Sequence, residues 1–409
     1  MRRLQRRINL RKMSLSNVTI VRQQGLGKSS RRNDGISGLI ADAVAVDDKI
    51  TIGTPMMLTS LAEAESKGVT KAYDLANKVM LWHHIRDFYS MAPKGTTLYV
   101  MPVAKQTPMA TVLATSDGAA AKLLNYAKGS IRQLALSSMS EDFANLATNV
   151  AAAQALYTWA AQRNKSVQIL IEGREFVEDY STAVSLREMS ANRVSVVISQ
   201  DPQVAVEDAA YAGYAQVGLL LGSVAAVPVS RDIARVRNGS LPLSSVGVSN
   251  GKNVNLAGYY DDDQLSAIDD KGYIFARTFD GLSGFYWSAD YTAVASTDDC
   301  DSIRMGRTLD KAADLARLKA LEYLRDDVEI DTATGHIAIE VVSNIESDIE
   351  TAVLTQMADE ISGIECTIDP DQSLWDSARP LVADLAVVAR GVIYRMQINV
   401  YYTNSLSND

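Results

Sequence analysis

The sequence predicts an α/β protein: a doubly wound, mostly parallel sheet, then a C-terminal α+β domain, with extended arms at both ends. Three observations carry this. Short apolar runs recur between residues 98 and 199, alanine-rich helical segments separate them, and past residue 300 the texture changes to long amphipathic helices and a long alternating segment. Continuously apolar strands between helices are the mark of a parallel sheet covered on both faces.

In order, Val18–Val21 reads as a short strand, followed by the irregular stretch QQGLGKSSRRNDGISG. LYVMPVA (98–104), IRQLALS (131–137), VQILIEG (167–173) and RVSVVIS (193–199) read as buried strands. Residues 141–163 give the clearest helix, with Ser140 as N-cap and acids in the first turn. Helices are also expected over 178–190 and 203–222. After Pro242 the chain is loop-rich, with strands at 273–279 and 284–294 joined by a turn at Asp280-Gly281. A long helix from 304 to 326, a strand over 336–342, a second helix over 345–360 and a terminal strand complete the chain. These textures divide it into an arm at 1–35, an α/β domain at 36–300 with a loop-rich β segment from 240, an α+β domain at 301–390 and a strand or arm at 391–409. There is no internal repeat.

The 409 residues are 47% hydrophobic and 22% charged, ordinary globular proportions with enough apolar material for a sizeable core. The net charge of −9 argues against broad binding of nucleic acid. Arg2, Arg3, Arg6, Arg7, Arg11 and Lys12 crowd the start with no apolar segment after them, so it is not a secretory signal; either it is a basic arm or transit segment, or Met13 is the natural start. The body without it is more acidic still. Cys300 and Cys366 are expected as free thiols, and no apolar run is long enough to span a bilayer.

The usual catalytic and ligand patterns fail. GLGKSS (25–30) lacks the first glycine of a phosphate loop, because Arg22 stands there. His83 and His84 are adjacent and diverge by about 100° on a helix, which suits a surface or core-edge role. His336 has no acidic orienter at a recognisable spacing, and GLSG (281–284) is one residue short of a nucleophile elbow. The acidic runs Asp261–Asp263 and Asp298, Asp299, Asp301 do not follow the calcium-loop pattern. The sequence therefore predicts no catalysis, no cofactor and no metal.

Its strongest positive signal is GVIYRMQINVYYTN (391–404). Val392, Tyr394, Met396, Ile398, Val400 and Tyr402 fall on one face, with a mostly polar set on the other. That strand is roughly twice the usual 5–6 residues and would run about 40 Å at about 3.3 Å per residue. Two roles stand open: one long strand within its own domain, or an inter-subunit strand whose unmatched backbone pairs with a neighbour, with Val18 and Ile20 as counterparts at the other end. The helix beginning near Gly306 shows a stripe of Leu309, Ala312, Ala313, Ala316, Ala320 and Leu324, with Leu315 and Leu318 apart from it.

VAAVPVSRDIARVRNG (224–239), FDGLSGFYWSADYTAV (279–294), RMGRTLDKAADLARLKALEYLRDDVEIDTATGHI (304–337) and the terminal segment together resemble the contractile tail sheath proteins of phages, phage-tail-like bacteriocins and injection systems, in particular a divergent Bacteroidetes-type branch. The resemblance runs from about residue 14 to the end. It implies a subtilisin-like topology without catalysis, a C-terminal domain lining an inner tube, and terminal arms joining subunits. It further implies stacked rings, hexameric in the family, that bind the tube, the baseplate and a terminator or cap, with no nucleic acid and no membrane insertion. Assembly in the bacterial cytoplasm and residence in a virion tail or extracellular particle follow. Arg304, Arg307, Lys311 and Lys319 are then expected to face the tube, with internal pairing to Asp310 or Asp314 as the plain alternative. An α/β hydrolase-like enzyme and another virion shell protein are the competing readings.

Overall fold

The computed structural model describes residues 33–139, 143–254, 260–372 and 381–402. The strand expected at Val18–Val21, the GLGKSS segment and the Ser140 cap lie outside them.

The central sheet contains β1 (Ser37–Ala43), β2 (Met56–Leu58), β3 (Leu98–Ala104), β4 (Gln133–Leu136), β5 (Gln168–Glu172) and β6 (Val194–Val197). Their order is β2-β3-β1-β4-β5-β6, parallel throughout except for the edge strand β2. The strands from β3 onward match the apolar runs. From β1 the chain crosses to β3 through helix α1 (Leu81–Met91), then reverses past β1 to β4 through α2 (Ala119–Tyr126), and continues to β5 through α3 (Leu146–Ala161). Right-handed crossovers in opposite directions set α1 on one face and α2 with α3 on the other. A further helix, α4 (Val217–Ala226), joins α1. The two approach closely because Gly218 and Gly222 lie against the carbonyls of His84 and Phe88; a Cβ would come within 2.3 and 2.5 Å of those oxygens.

Two expected helices are broken by side chains that compete for the backbone. Over 178–190 there are only one-turn pieces at Tyr180–Thr182 and Leu186–Glu188 and the extended pair Ser190–Ala191. Asp179 accepts from Ser181 N, Lys271 Nζ donates to the carbonyls of Ser181 and Ala183, and Tyr273 Oη donates to that of Val184. Over 203–222 only α4 is long: Asp201 and Asp208 cap short turns, and Gln200 Nε2 takes the carbonyls of Ala212 and Tyr214.

After α5 (Asp262–Asp270), capped by Asp261 and Gln264, comes a hairpin of β7 (Ala276–Phe279) and β8 (Leu282–Trp287). Gly281 supplies a turn φ of 81°. The expected strand over 284–294 thus starts earlier, breaks after Trp287 and resumes only at Ala293–Val294, paired with Ser190–Ala191. Helix α6 (Ile303–Ala320) and helix α7 (Ile339–Met357) follow, then a hairpin of β9 (Ile361–Ile368) and β10 (Ala383–Ala389). The strand expected over 336–342 is a correction. Apart from an isolated bridge of Ile337 to Ile330, this segment leads into α7, whose Val342, Ile345, Ile349, Val353 and Met357 are buried at helical spacing. The β-branched residues there misled the local reading.

Helix α6 joins the two halves. Asp34, Arg132 and Arg193 stand just ahead of β1, β4 and β6, and they pair with Lys311, Asp314 and Asp310 of α6. Arg193 reaches Asp310 at 3.2 Å and also lies over the ring of Tyr157. Farther along, Leu315 and Ala316 pack into a small apolar cluster with Val229, Val353, Met357 and Ile361. One helix is thus clamped across the starts of three strands and built into the C-terminal core. Among the described residues no helix is long and apolar enough to cross a membrane, and no group of three His, Cys, Asp or Glu is placed to hold a metal.

Candidate interaction site at the C-terminal arm

The expected terminal strand is not part of any ladder among the described residues: 391–402 run without secondary structure after β10. The alternating residues are presented to solvent. Val392 is half-buried at the root, while Tyr394, Met396, Ile398, Val400 and Tyr402 are exposed, reaching 76% at Ile398 and 90% at Val400. Ile393 and Tyr401 on the other face are exposed as well. Apolar side chains at this density left in water represent unrealised burial, at about 25 cal/mol per Å2, and an unpaired extended backbone offers donors and acceptors for augmentation. Val18 and Ile20 fall outside the described residues.

Among the described residues the arm is held only at its root. Arg304, in the first turn of α6, donates from Nη1 to the carbonyl of Arg390 at 3.2 Å and from Nη2 to Tyr394 Oη at 2.7 Å. Beneath it lies Asp290, fully enclosed, whose Oδ2 accepts from Arg304 N at 3.3 Å. Burial, then the nearby Asp232, pushes Asp290 up to about 8, against the pull of Arg304. Two carboxyls and one arginine therefore sit under the point where the arm leaves the body. Asp232, Asp290 and Arg390 were not singled out from the sequence, since nothing local marks partners so distant along the chain.

The basic residues expected to face a tube are mostly committed inward. Arg304 serves the arm root. Arg307 is 4% exposed and donates to the Asp34 carbonyl at 3.1 Å. Burial holds its guanidinium down at about 10. Lys311 bridges Asp34 at 2.8 Å and Glu360 at 2.7 Å. Lys319 is the most open of the four, with Lys311 next, and is paired with Glu322 and Asp348. The fold uses this helix to dock on strand ends, so Lys311 meets Asp34 and Glu360, while the helix's own Asp310 and Asp314 meet Arg193 and Arg132.

The constellation closest to hydrolase chemistry is sealed. His84 Nε2 lies 2.9 Å from Ser137 Oγ, which donates to Glu172 Oε2 at 2.7 Å. The serine proton is aimed at the carboxylate instead of the imidazole, the reverse of what an activated nucleophile needs. Burial drops His84 to about 3, so the ring stays neutral. Both histidines are fully buried, not at the core edge as expected; His83 lies between Asp74 at 2.8 Å and Glu207 at 3.3 Å. The acidic runs serve local turns: Asp261 caps α5 and Asp298 accepts from Cys300 N. His336 does have an acid in reach, Asp371 at 3.6 Å.

Residues 15–290 match the family described as DUF2586, N-terminal domain. The chain belongs to the DUF2586 family. No curated protein matches it in sequence. In fold, this DUF2586 chain is similar to a chain of the anti-feeding prophage (AFP) baseplate, with a TM-score of 0.59 and 14% identity over 96% of this chain and 99% of that one. It is similar to a chain of the PVC sheath complex in the contracted state, an extracellular contractile injection system, with a TM-score of 0.59 and 12% identity over 97% and 99%. A chain of the AFP baseplate in the contracted state gives 0.57 and 16% over 97% and 98%. The α/β architecture of the DUF2586 chain is thus shared, nearly end to end, with chains of contractile particles.

Proposed function

We propose that this DUF2586 protein is a structural subunit of a helical contractile tail sheath, which surrounds an inner tube and shortens to drive it through a target envelope. The observation that carries this reading is the arm: a dozen residues with an apolar alternating face, anchored at one end and without a partner beyond it among the described residues, on a fold shared with a chain of a contracted sheath complex. Such an arm adds a strand to a neighbouring copy, with the N-terminal segment around Val18 and Ile20 as its counterpart. Head-to-tail contacts of this kind do not close and give an open helix. Contraction is then a rearrangement of rigid bodies that the arms keep linked.

In this reading residues 36–300 form the main sheath domain, with the subtilisin-like topology, and 301–390 the inner α+β domain. The tube is met by the open side of the second half of α6, at Lys319, since Arg304, Arg307 and Lys311 are engaged inside. The other partners are further sheath subunits in stacked rings, the baseplate and a terminator; the protein catalyses nothing and works in a tail or extracellular particle assembled in the bacterial cytoplasm. Electron microscopy of the purified chain, alone and coexpressed with its tube protein, tests this. Tubes or stacked rings are expected; closed shells, or particles that remain single at every concentration, overturn it.

A further inference from the structure

Past the end of α4, the rest of the segment, VPVSRDIARVRNG (227–239), forms an ordered loop that presents Arg231, Arg235 and Arg237 to one open cleft of about 730 Å3 beside the arm root. The same three arginines line an adjoining cleft of about 480 Å3. All three are exposed, and their side chains make no hydrogen bond or ion pair with a described residue. This sets them apart from Lys311 of α6, which meets Asp34 and Glu360.

The loop is fixed before anything binds. Val229 and Ile233 anchor it in the interior. Asp232 Oδ1 accepts from Ala234 N at 2.7 Å, and Asn238 Nδ2 donates to the Asp232 carbonyl at 3.0 Å. A one-turn helix at Val236–Asn238 ends on Gly239 at φ 95°, and Leu241 N donates to the Phe285 carbonyl at 2.7 Å. The pre-ordered backbone removes the cost of ordering the loop itself, and each planar guanidinium can take a carboxylate through two hydrogen bonds. Phe279, Trp287 and Ile393 add apolar wall to the same cleft. Its occupant must therefore carry several acids and an apolar side chain on a short exposed segment.

We infer that this cleft is a dock for residues 324–331 of a second copy of the chain, an inference that rests on the sheath reading above. That segment is Leu-Arg-Asp-Asp-Val-Glu-Ile-Asp. Asp326, Asp327, Glu329 and Asp331 are exposed, and Leu324 is 71% exposed. None of the four acids is in an ion pair with a described residue. A second acidic stretch, Asp261–Asp263, offers no exposed apolar neighbour: Leu265 and Ile268 are buried. The net charge of −9 makes each copy repel the next, so a local match of opposite sign fixes register as well as contact. The dock adjoins the root of the arm, so one neighbour engages both.

Charge reversal tests this in the full chain. Arg235→Glu with Arg237→Glu, and separately Asp327→Arg with Glu329→Arg, should each raise the concentration needed for polymerisation by about tenfold or more, with unchanged melting temperature. All four changes in one chain should restore polymers, because dock and segment are again complementary. Polymerisation indifferent to the Arg235/Arg237 pair overturns the dock. So does a quadruple variant that stays unassembled, or one rescued only by reversing Asp262 and Asp263 instead. If the native chain forms no polymer at all, the sheath reading itself falls, which separates the two failures.

Discussion

Arg304 and Tyr394, ninety residues apart in sequence, are joined by a 2.7 Å hydrogen bond that fixes where the arm departs from the body. The guanidinium also faces the tyrosine ring, 5.8 Å from its centroid. A hydrogen bond to a charged group contributes about 1.5–3 kcal/mol. Tyr394→Phe should therefore free the root, and trypsin should cut after Arg395 roughly tenfold faster than in the native chain. An unchanged cleavage rate would show that the carbonyl bond at Arg390 suffices.

Removal of residues 391–409 takes away the arm, whose described residues 391–402 belong to none of the hydrophobic cores. The truncated chain should keep its melting temperature and lose polymerisation. Tubes of normal length from it would sink the strand-addition proposal.

Asp290 gives the fold a pH dependence of unusual sign. Its folded carboxyl is raised from an ordinary 3.8 to about 8, by burial first and Asp232 second, with Arg304 opposing and Asp301 adding. The folded state therefore holds a proton that the unfolded chain releases. Stability falls as pH climbs from about 4 to about 8, by at most about 1.4 kcal/mol per pH unit for this group. Asp290→Asn removes that share. Chemical denaturation should show the variant gaining on the native protein as pH rises across this window and holding a constant lead above it.

Asp310 accepts two bonds from Arg193 at 3.2 Å and one from Tyr157 at 3.2 Å. Burial lifts its carboxyl, and Arg193 pulls it back. Stripping one partner from such a pair leaves a buried charge, so Asp310→Ala should cost about 3–5 kcal/mol in urea unfolding. Arg193→Met combined with Asp310→Leu should cost clearly less than Asp310→Ala alone, the mark of a coupled pair.

The parallel strands from β3 onward were legible because each is a short apolar run, and Ile169, Leu170 and Ile171 are all fully buried; β1 was not, because Ser37, Gly38 and Asp42 interrupt its apolar pattern and its start fell in the stretch read as irregular. Helix α3 was legible from its alanines. Where reading failed, the cause was competition that local patterns cannot register: Lys271 and Tyr273 claim the carbonyls near residue 183 from almost ninety positions away. The arm was visible as unbroken alternation, and its lack of a ladder partner among the described residues was not. The basic stripe of α6 carried a true signal with two readings, since Arg307 and an exposed arginine look alike until Asp34 is seen beside the helix.

Helix α6 also sets how a pull on the arm would be borne. Tension at Tyr394 enters the body through Arg304, one turn before Arg307 and two before Asp310 and Lys311. From there it divides among the starts of β1, β4 and β6, so no single pair of strands carries the load alone. A tug delivered at one end of the chain moves the whole sheet as a block, and the part left to yield is the arm itself.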